Sequence, residues 1–173
     1  MNPAVFVAIG ALAISAPAVA AECSNVMTLE NGLQVKFCAS SVLKPQGENT
    51  YGPENLRLND AKSWCEGVAG EGIGEWITMS FPFRDAKVKK ITITNGYGKS
   101  AKSFAENSTV KRVEITTREG RQPSTFNLPD TAEPETWVFD EPFVTSELRF
   151  TIKDVYGRKK FQDTCLNAIS VSE

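Results

Sequence analysis

W-C-E-G-V-A-G-E-G-I-G-E-W-I, from Trp64 to Ile77, sets Gly67, Gly70, Gly72 and Gly74 between two tryptophans. Glycine at that density marks a loop whose backbone turns tightly or lets another group approach closely. The indoles supply large apolar surfaces, and each N–H needs a partner once buried. Both rings are expected in the core. The loop therefore feeds a core strand that starts at Trp76.

Outward from that strand, apolar and polar residues alternate. Ile77, Met79 and Phe81 alternate with Thr78 and Ser80, and Val88, Ile91 and Ile93 point inward in V-K-K-I-T-I-T. Val113 and Ile115 do the same, with Arg112, Glu114 and Thr116 facing water. Leu148, Phe150 and Ile152 repeat the pattern, Trp137 and Phe139 add a strand, and Cys165 to Val171 forms the last. Such segments, with only a short helical turn near Lys102–Asn107, predict an all-β chain folded as an antiparallel β-sandwich of jelly-roll type. Nearer the N-terminus, M-T-L-E-N-G-L-Q-V-K-F (Met27–Phe37) reads as a β-hairpin with Asn31-Gly32 in a type I′ turn. The polar stretch from Lys44 to Tyr51, broken by Pro45, Gly47 and Pro53, reads as a linker. It sets residues 21–44 apart as an N-terminal hairpin extension and residues 51–173 as the main domain.

The chain opens on an uncharged apolar run, Ala4 to Ala16, followed by Pro17 and Ala18-Val19-Ala20. Small residues three before and immediately before a cut after Ala20 mark residues 1–20 as a secretory signal peptide, although Met1-Asn2-Pro3 lacks a basic residue. The run is shorter than the roughly 20 residues a spanning helix needs. A secreted or periplasmic protein without a transmembrane segment in the mature chain is expected. The remaining ~150 residues suit one domain. Nineteen basic residues against 21 acidic ones carry no nucleic-acid signature.

The four cysteines all follow the leader, and in an exported protein an even count favours disulfides. Three pairings are open. The preferred set is Cys23–Cys38, which flanks the hairpin, with Cys65–Cys165, which joins the first third of the domain to its last strand. Counting out from a two-residue turn sets Cys38 opposite Asn25, so Cys23 lies two positions out of register. A metal site is disfavoured, since there is no C-x-x-C spacing and no histidine.

The absence of histidine also removes Ser-His-Asp and Cys-His constellations. Glu66, Glu71 and Glu75 crowd the glycine-rich loop as a carboxylate set of the kind glycosidases use, against the simpler reading that they are solvated or bind backbone N–H groups.

A second motif, N-G-Y-G-K-S, runs from Asn95 to Ser100, with Phe104 and Asn107 beyond it. Together with Tyr51-Gly-Pro-Glu-Asn-Leu56, Trp64-Cys-Glu-Gly67, Gly70 to Ile77 and Val155-Tyr156 through Asp163-Thr164-Cys165, it resembles the discoidin-like domains (coagulation factor 5/8 type C, galactose-binding-like). The match falls in the NADase-type glycan-binding, or NAD glycohydrolase translocation, subgroup and covers about Tyr51 to Val171. The resemblance implies a galactose-binding-like β-sandwich that binds rather than catalyses, recognising a glycan or carbohydrate-bearing surface through loops at one end. Glu66, Asn95, Tyr97, Lys99, Asn107 and Tyr156 are the implied ligand-binding residues. The shared W-C-E-G and D-T-C motifs add to the case for Cys65–Cys165. No cofactor is implied, except that related domains can hold calcium in the loop after the Asn-Leu step. Here that loop is shortened to Leu58-Asn59-Asp60, leaving Asp60 as the candidate ligand where calcium asks for about six to eight oxygens. The rival readings are an envelope protein-interaction module with another secreted protein as partner, and a small hydrolase using the loop carboxylates.

Overall fold

The computed structural model describes residues 20–120 and 124–173. The expected leader lies outside the described residues apart from Ala20. Strands β1 (Glu22–Cys23), β2 (Met27–Thr28), β3 (Gln34–Ala39), β4 (Trp64–Cys65), β5 (Trp76–Ser80) and β6 (Ala86–Asn95), with a 3₁₀ helix (Pro53–Arg57) between β3 and β4, precede the α-helix α1 (Ala101–Glu106). Strands β7 (Asn107–Thr117), β8 (Ser124–Asn127), β9 (Pro134–Thr145), β10 (Glu147–Tyr156) and β11 (Phe161–Ser172) complete the chain.

These strands form a β-sandwich. β3, β5, β10 and β7 lie side by side in one layer, with β1 and β2 on β3 and β8 on β7; β11, β6 and β9 form the other, with β4 beside β11. The layers join through a short parallel pairing of β7 with β11, Asn107 to Thr109 against Phe161 to Cys165, while all other ladders are antiparallel. Period-two patterning decides what lies between them. Leu148, Phe150 and Ile152 of β10 meet Val88, Ile91, Ile93 and Ile169 of the opposite layer in one apolar cluster. Burying one such aliphatic or aromatic side chain is worth about 1.5–3 kcal/mol.

The hairpin departs from expectation twice. Its loop holds three residues, not two: Leu29 N–H donates to Leu33 O and Gly32 N–H to Leu29 O, both at 2.9 Å, with Gly32 at φ 80°. From the pair Met27–Val35 to the pair Cys23–Cys38, four steps on one strand match three on the other. The third loop residue removes one of the two positions of mismatch counted from the sequence and this extra strand residue removes the other, so that Cys23 faces Cys38. Nor is the hairpin an appendage. β3 pairs with β5 from Lys36–Ser80 to Ala39–Ile77, and Val35, Phe37 and Ala39 belong to the core.

Both disulfides join directly facing residues, Cys23–Cys38 and Cys65–Cys165, at sequence separations of 15 and 100. Trp64 is fully buried, its indole N–H donating to Ser41 O at 3.0 Å. Trp76 is only half-buried, because Ile77 takes the inward position; the Arg149 guanidinium lies 4.0 Å from its ring centre. Non-reducing peptide mapping should recover both bridges. In the chain-entropy account, removing Cys65–Cys165 should cost about 4.7 kcal/mol and removing Cys23–Cys38 about 3 kcal/mol. Denaturant melts of the two double-alanine variants check that order.

Candidate functional site

β5 and β11 begin, and β6 and β10 end, at one end of the sandwich, so residues 66–75, 96–106, 128–133 and 157–160 gather there. All six candidate ligand residues lie at this end, but most of them face inward.

Glu66 follows β4 and is fully buried. Its carboxylate accepts from Thr164 N–H at 3.1 Å and Val68 N–H at 2.8 Å, tying the glycine-rich loop to β11. Gly72, at φ 64°, lies against the same side chain; a Cβ there would come within 2.4 Å of Glu66 Cγ. The close approach expected of the glycine-rich stretch is therefore made to its own glutamate. Burial pushes the Glu66 carboxyl up to about 7, with the charges of Asp163 and Glu75 adding to the effect and the two backbone N–H groups opposing it.

Asn95, at the end of β6, spends its amide on the backbone. Nδ2 donates to Val110 O at 2.7 Å, while Oδ1 accepts from Val110 N–H and Gly96 N–H, each at 3.0 Å. Tyr97 is buried edge-on against Tyr51, with ring centres 5.8 Å apart, and burial raises its phenol to about 12. Asn107 Nδ2 donates to Ser103 O at 2.8 Å and so finishes α1, which Ser100 Oγ starts by accepting from Ser103 N–H. Glu66, Asn95, Tyr97 and Asn107 thus hold the end loops in shape through internal partners.

The other two reach solvent. Lys99 is exposed and donates from Nζ to Asn49 Oδ1 at 2.7 Å. Tyr156 is half-buried: its hydroxyl donates to Leu128 O at 3.2 Å, and Lys111 Nζ lies 5.8 Å from the ring centre. Two residues along the chain, Arg158 Nη2 bridges both carboxylate oxygens of Asp130, at 2.7 and 2.8 Å. Asp154, paired with Lys111 at 3.1 Å, has its carboxyl held below the usual range chiefly by that contact. Lys111, Arg158 and Asp130 were not selected as site residues from the sequence; the available cue was that Lys111 follows the second motif and Arg158 lies two residues after Tyr156 in the closing one.

The loop carboxylates are each taken up by internal partners. Glu66 is engaged by backbone N–H groups, Glu75 accepts from the hydroxyls of Ser40 and Ser41, and the Glu71 carboxylate sits against Gly157. Asp60 is exposed, and its Oδ1 accepts from Lys62 N–H at 2.7 Å.

The NAD glycohydrolase translocation F5/8 type C domain matches residues 29–172. The chain belongs to that family. The match includes the hairpin from Leu29 onward, in agreement with the pairing of β3 into the sheet. No curated protein sequence matches the chain. Among solved structures, the fold is similar to a family 32 carbohydrate-binding module of Clostridium perfringens NanJ in complex with galactose. The TM-score is 0.61 at 16% identity, over 80% of this chain and 93% of that one. A second Clostridium perfringens family 32 module, in complex with GalNAc-β-1,3-galactose, gives 0.61 at 15% identity over 80% and 95%. Part of the mycobacterial arabinofuranosyltransferase AftD gives 0.59 at 17%, over 93% of this chain and 12% of that protein. The domain thus shares the β-sandwich fold of these structures. No helix among the described residues is long and apolar enough to cross a membrane.

A cleft of about 710 Å³ lies elsewhere, between β8 and β9, lined by Phe126, Phe139, Phe143, Ile115 and Leu148. Four residues of β9, Phe139 to Pro142, bulge out between the pairs Lys90–Val138 and Val88–Phe143.

The raised carboxyl of Glu66 sets a pH dependence with a defined sign. Between about pH 4.5 and 7 the folded protein keeps a proton that the unfolded chain releases, so stability falls as pH rises through that window and levels off above it. Glu66→Gln should flatten this component. Urea melts of both proteins at pH 5 and pH 8 check it: the gap between them should change with pH.

Proposed function

We propose that the domain is an exported, non-catalytic module that binds a glycan or a carbohydrate-bearing surface with the loop end of its sandwich. The single observation that carries this reading is the half-buried Tyr156 ring with Lys111 over it, next along the chain to the Asp130–Arg158 pair. Sugar recognition asks for an aromatic face beside a few fixed polar groups. Lys99, with Asn49, adds a second polar contact at the same end. In this reading Tyr156 and Lys99 touch the ligand, while Glu66, Asn95, Tyr97 and Asn107 keep the loops in shape. Support comes from the sandwich shared with modules solved in complex with galactose and with GalNAc-β-1,3-galactose, and from the family's place among F5/8 type C domains. The apolar leader run and two disulfides support action outside the cytoplasm. The apolar cleft between β8 and β9 favours a second reading, an envelope protein-interaction module on the same fold.

The test is a glycan array followed by calorimetry with the mature domain, beginning with galactose and GalNAc-β-1,3-galactose. Tyr156→Ala should weaken binding at least roughly tenfold, about 1.4 kcal/mol, and leave the domain folded with a smaller loss of stability than a fully buried aromatic would give. Tyr97→Ala should instead lose roughly 3–5 kcal/mol of stability, on the scale of buried aromatic truncations. A stable Tyr156→Ala protein with undiminished glycan affinity overturns the site. A wild-type domain that retains no glycan on the array turns the reading to the protein-interaction module.

A further inference from the structure

The stretch from Leu58 to Ser63 includes the loop that in related domains can hold calcium, and here its oxygens already have an occupant. The carbonyl oxygens of Asp60 and Lys62 lie 2.7 and 2.5 Å from Nδ2 of Asn167, and Ser63 Oγ lies 3.2 Å from it. Oxygens converging on one point are what a hard cation requires of a loop. The point is filled by an amide nitrogen. Its orientation follows from chemistry, because backbone carbonyls only accept, so the NH₂ group and not Oδ1 must face them.

Asn167 reaches this position through an irregularity in β11. Leu166 faces Asn95 and Ala168 faces Thr94, so Asn167 is the extra residue between them, and such a bulge re-aims a side chain. The residue is 1% exposed. Space for the amide comes from Gly98: a Cβ there would come within 2.3 Å of Nδ2 and 2.6 Å of Asp60 O. Ser63 Oγ extends the network by donating to Gly96 O at 3.2 Å and accepting from Gly98 N–H at 3.0 Å. Asn167 Oδ1 itself is buried without a partner, so the donors hold the amide in place. The Asp60 carboxylate is turned to Lys62 N–H instead of towards the convergence point. Among the described residues no group of three or more His, Cys, Asp or Glu side chains is placed to hold a metal ion. These residues do not fit calcium.

We infer that the Asn167 amide does in this chain what a bound calcium ion would do. It gathers the oxygens of residues 60–63 and pins them to β11 and to the Gly96–Gly98 turn, so the order of the loop end is independent of divalent cations. Thermal melts of the mature domain in chelator and in millimolar calcium chloride test this. The wild type should melt at the same temperature in both. Asn167→Asp places a carboxylate among the oxygens. It should melt lower than wild type in chelator and recover by roughly 4 °C or more with calcium, as a ligand bound only to the folded state requires. Asn167→Ala should melt lower in both media with no response to calcium. Calorimetric titration of wild type with calcium chloride stands independently of whether the variants fold, and should show no binding heat. A wild-type melting point that rises with calcium, calcium binding by calorimetry, or a folded Asn167→Asp protein indifferent to calcium overturns the inference.

Discussion

The loop end of this domain hangs from one strand. β11 receives β4 through the facing pair Cys65–Cys165, and around that bridge three separate loops attach. Glu66 N–H donates to Thr164 O while its carboxylate returns to Thr164 N–H; Gly96 N–H donates to Cys165 O; Cys65 N–H donates to Tyr51 O. Without the bridge, residues 44–75 would rest on the buried Leu56 and Trp64 side chains and on hydrogen bonds whose net worth is about 1 kcal/mol each. With it, the linker and the glycine-rich loop become part of the framework that presents Tyr156 and Lys99.

Most of the fold was legible because a sandwich writes itself as alternation. Leu148, Phe150 and Ile152 lie inward as their spacing requires, and Arg112 and Glu114 outward or half-outward. The same rule would have placed Trp76 correctly, since Ile77 beside it must point inward. Ring size argued against the period, and the period was the better guide. The hairpin turn was misread for a different reason. Asn-Gly favours a two-residue loop locally, but register is set by where Val35, Phe37 and Ala39 must lie in the core.

The candidate site was legible as a place and not as a set of contacts. Its motifs do converge at one end of the sandwich. Yet a polar residue at a strand end has two uses, and sequence does not separate them: it can face a ligand, or it can satisfy backbone groups that the ladder leaves open. Asn95 and Asn107 are of the second kind, as is Glu66, whose carboxyl ends up in surroundings that favour its neutral form. Lys111 and Arg158 lay within or next to the quoted motifs but were not singled out, because surface cations are common and a motif does not say which of them stands near an aromatic ring.

The unmatched residues of this chain have a consequence for how it tolerates change. Between Cys23 and Met27 one supernumerary residue brings two thiols face to face, and in β11 another turns an amide across the sheet. At the first of these places the chain counts residues more strictly than it reads them; at the second it needs both the count and the amide of Asn167. Many side chains would serve in the Asn25–Val26 step, but deleting one shifts Cys23 by a full position and turns it to the other face. Length variation in such domains should therefore concentrate in the surface turns, where no such counting operates.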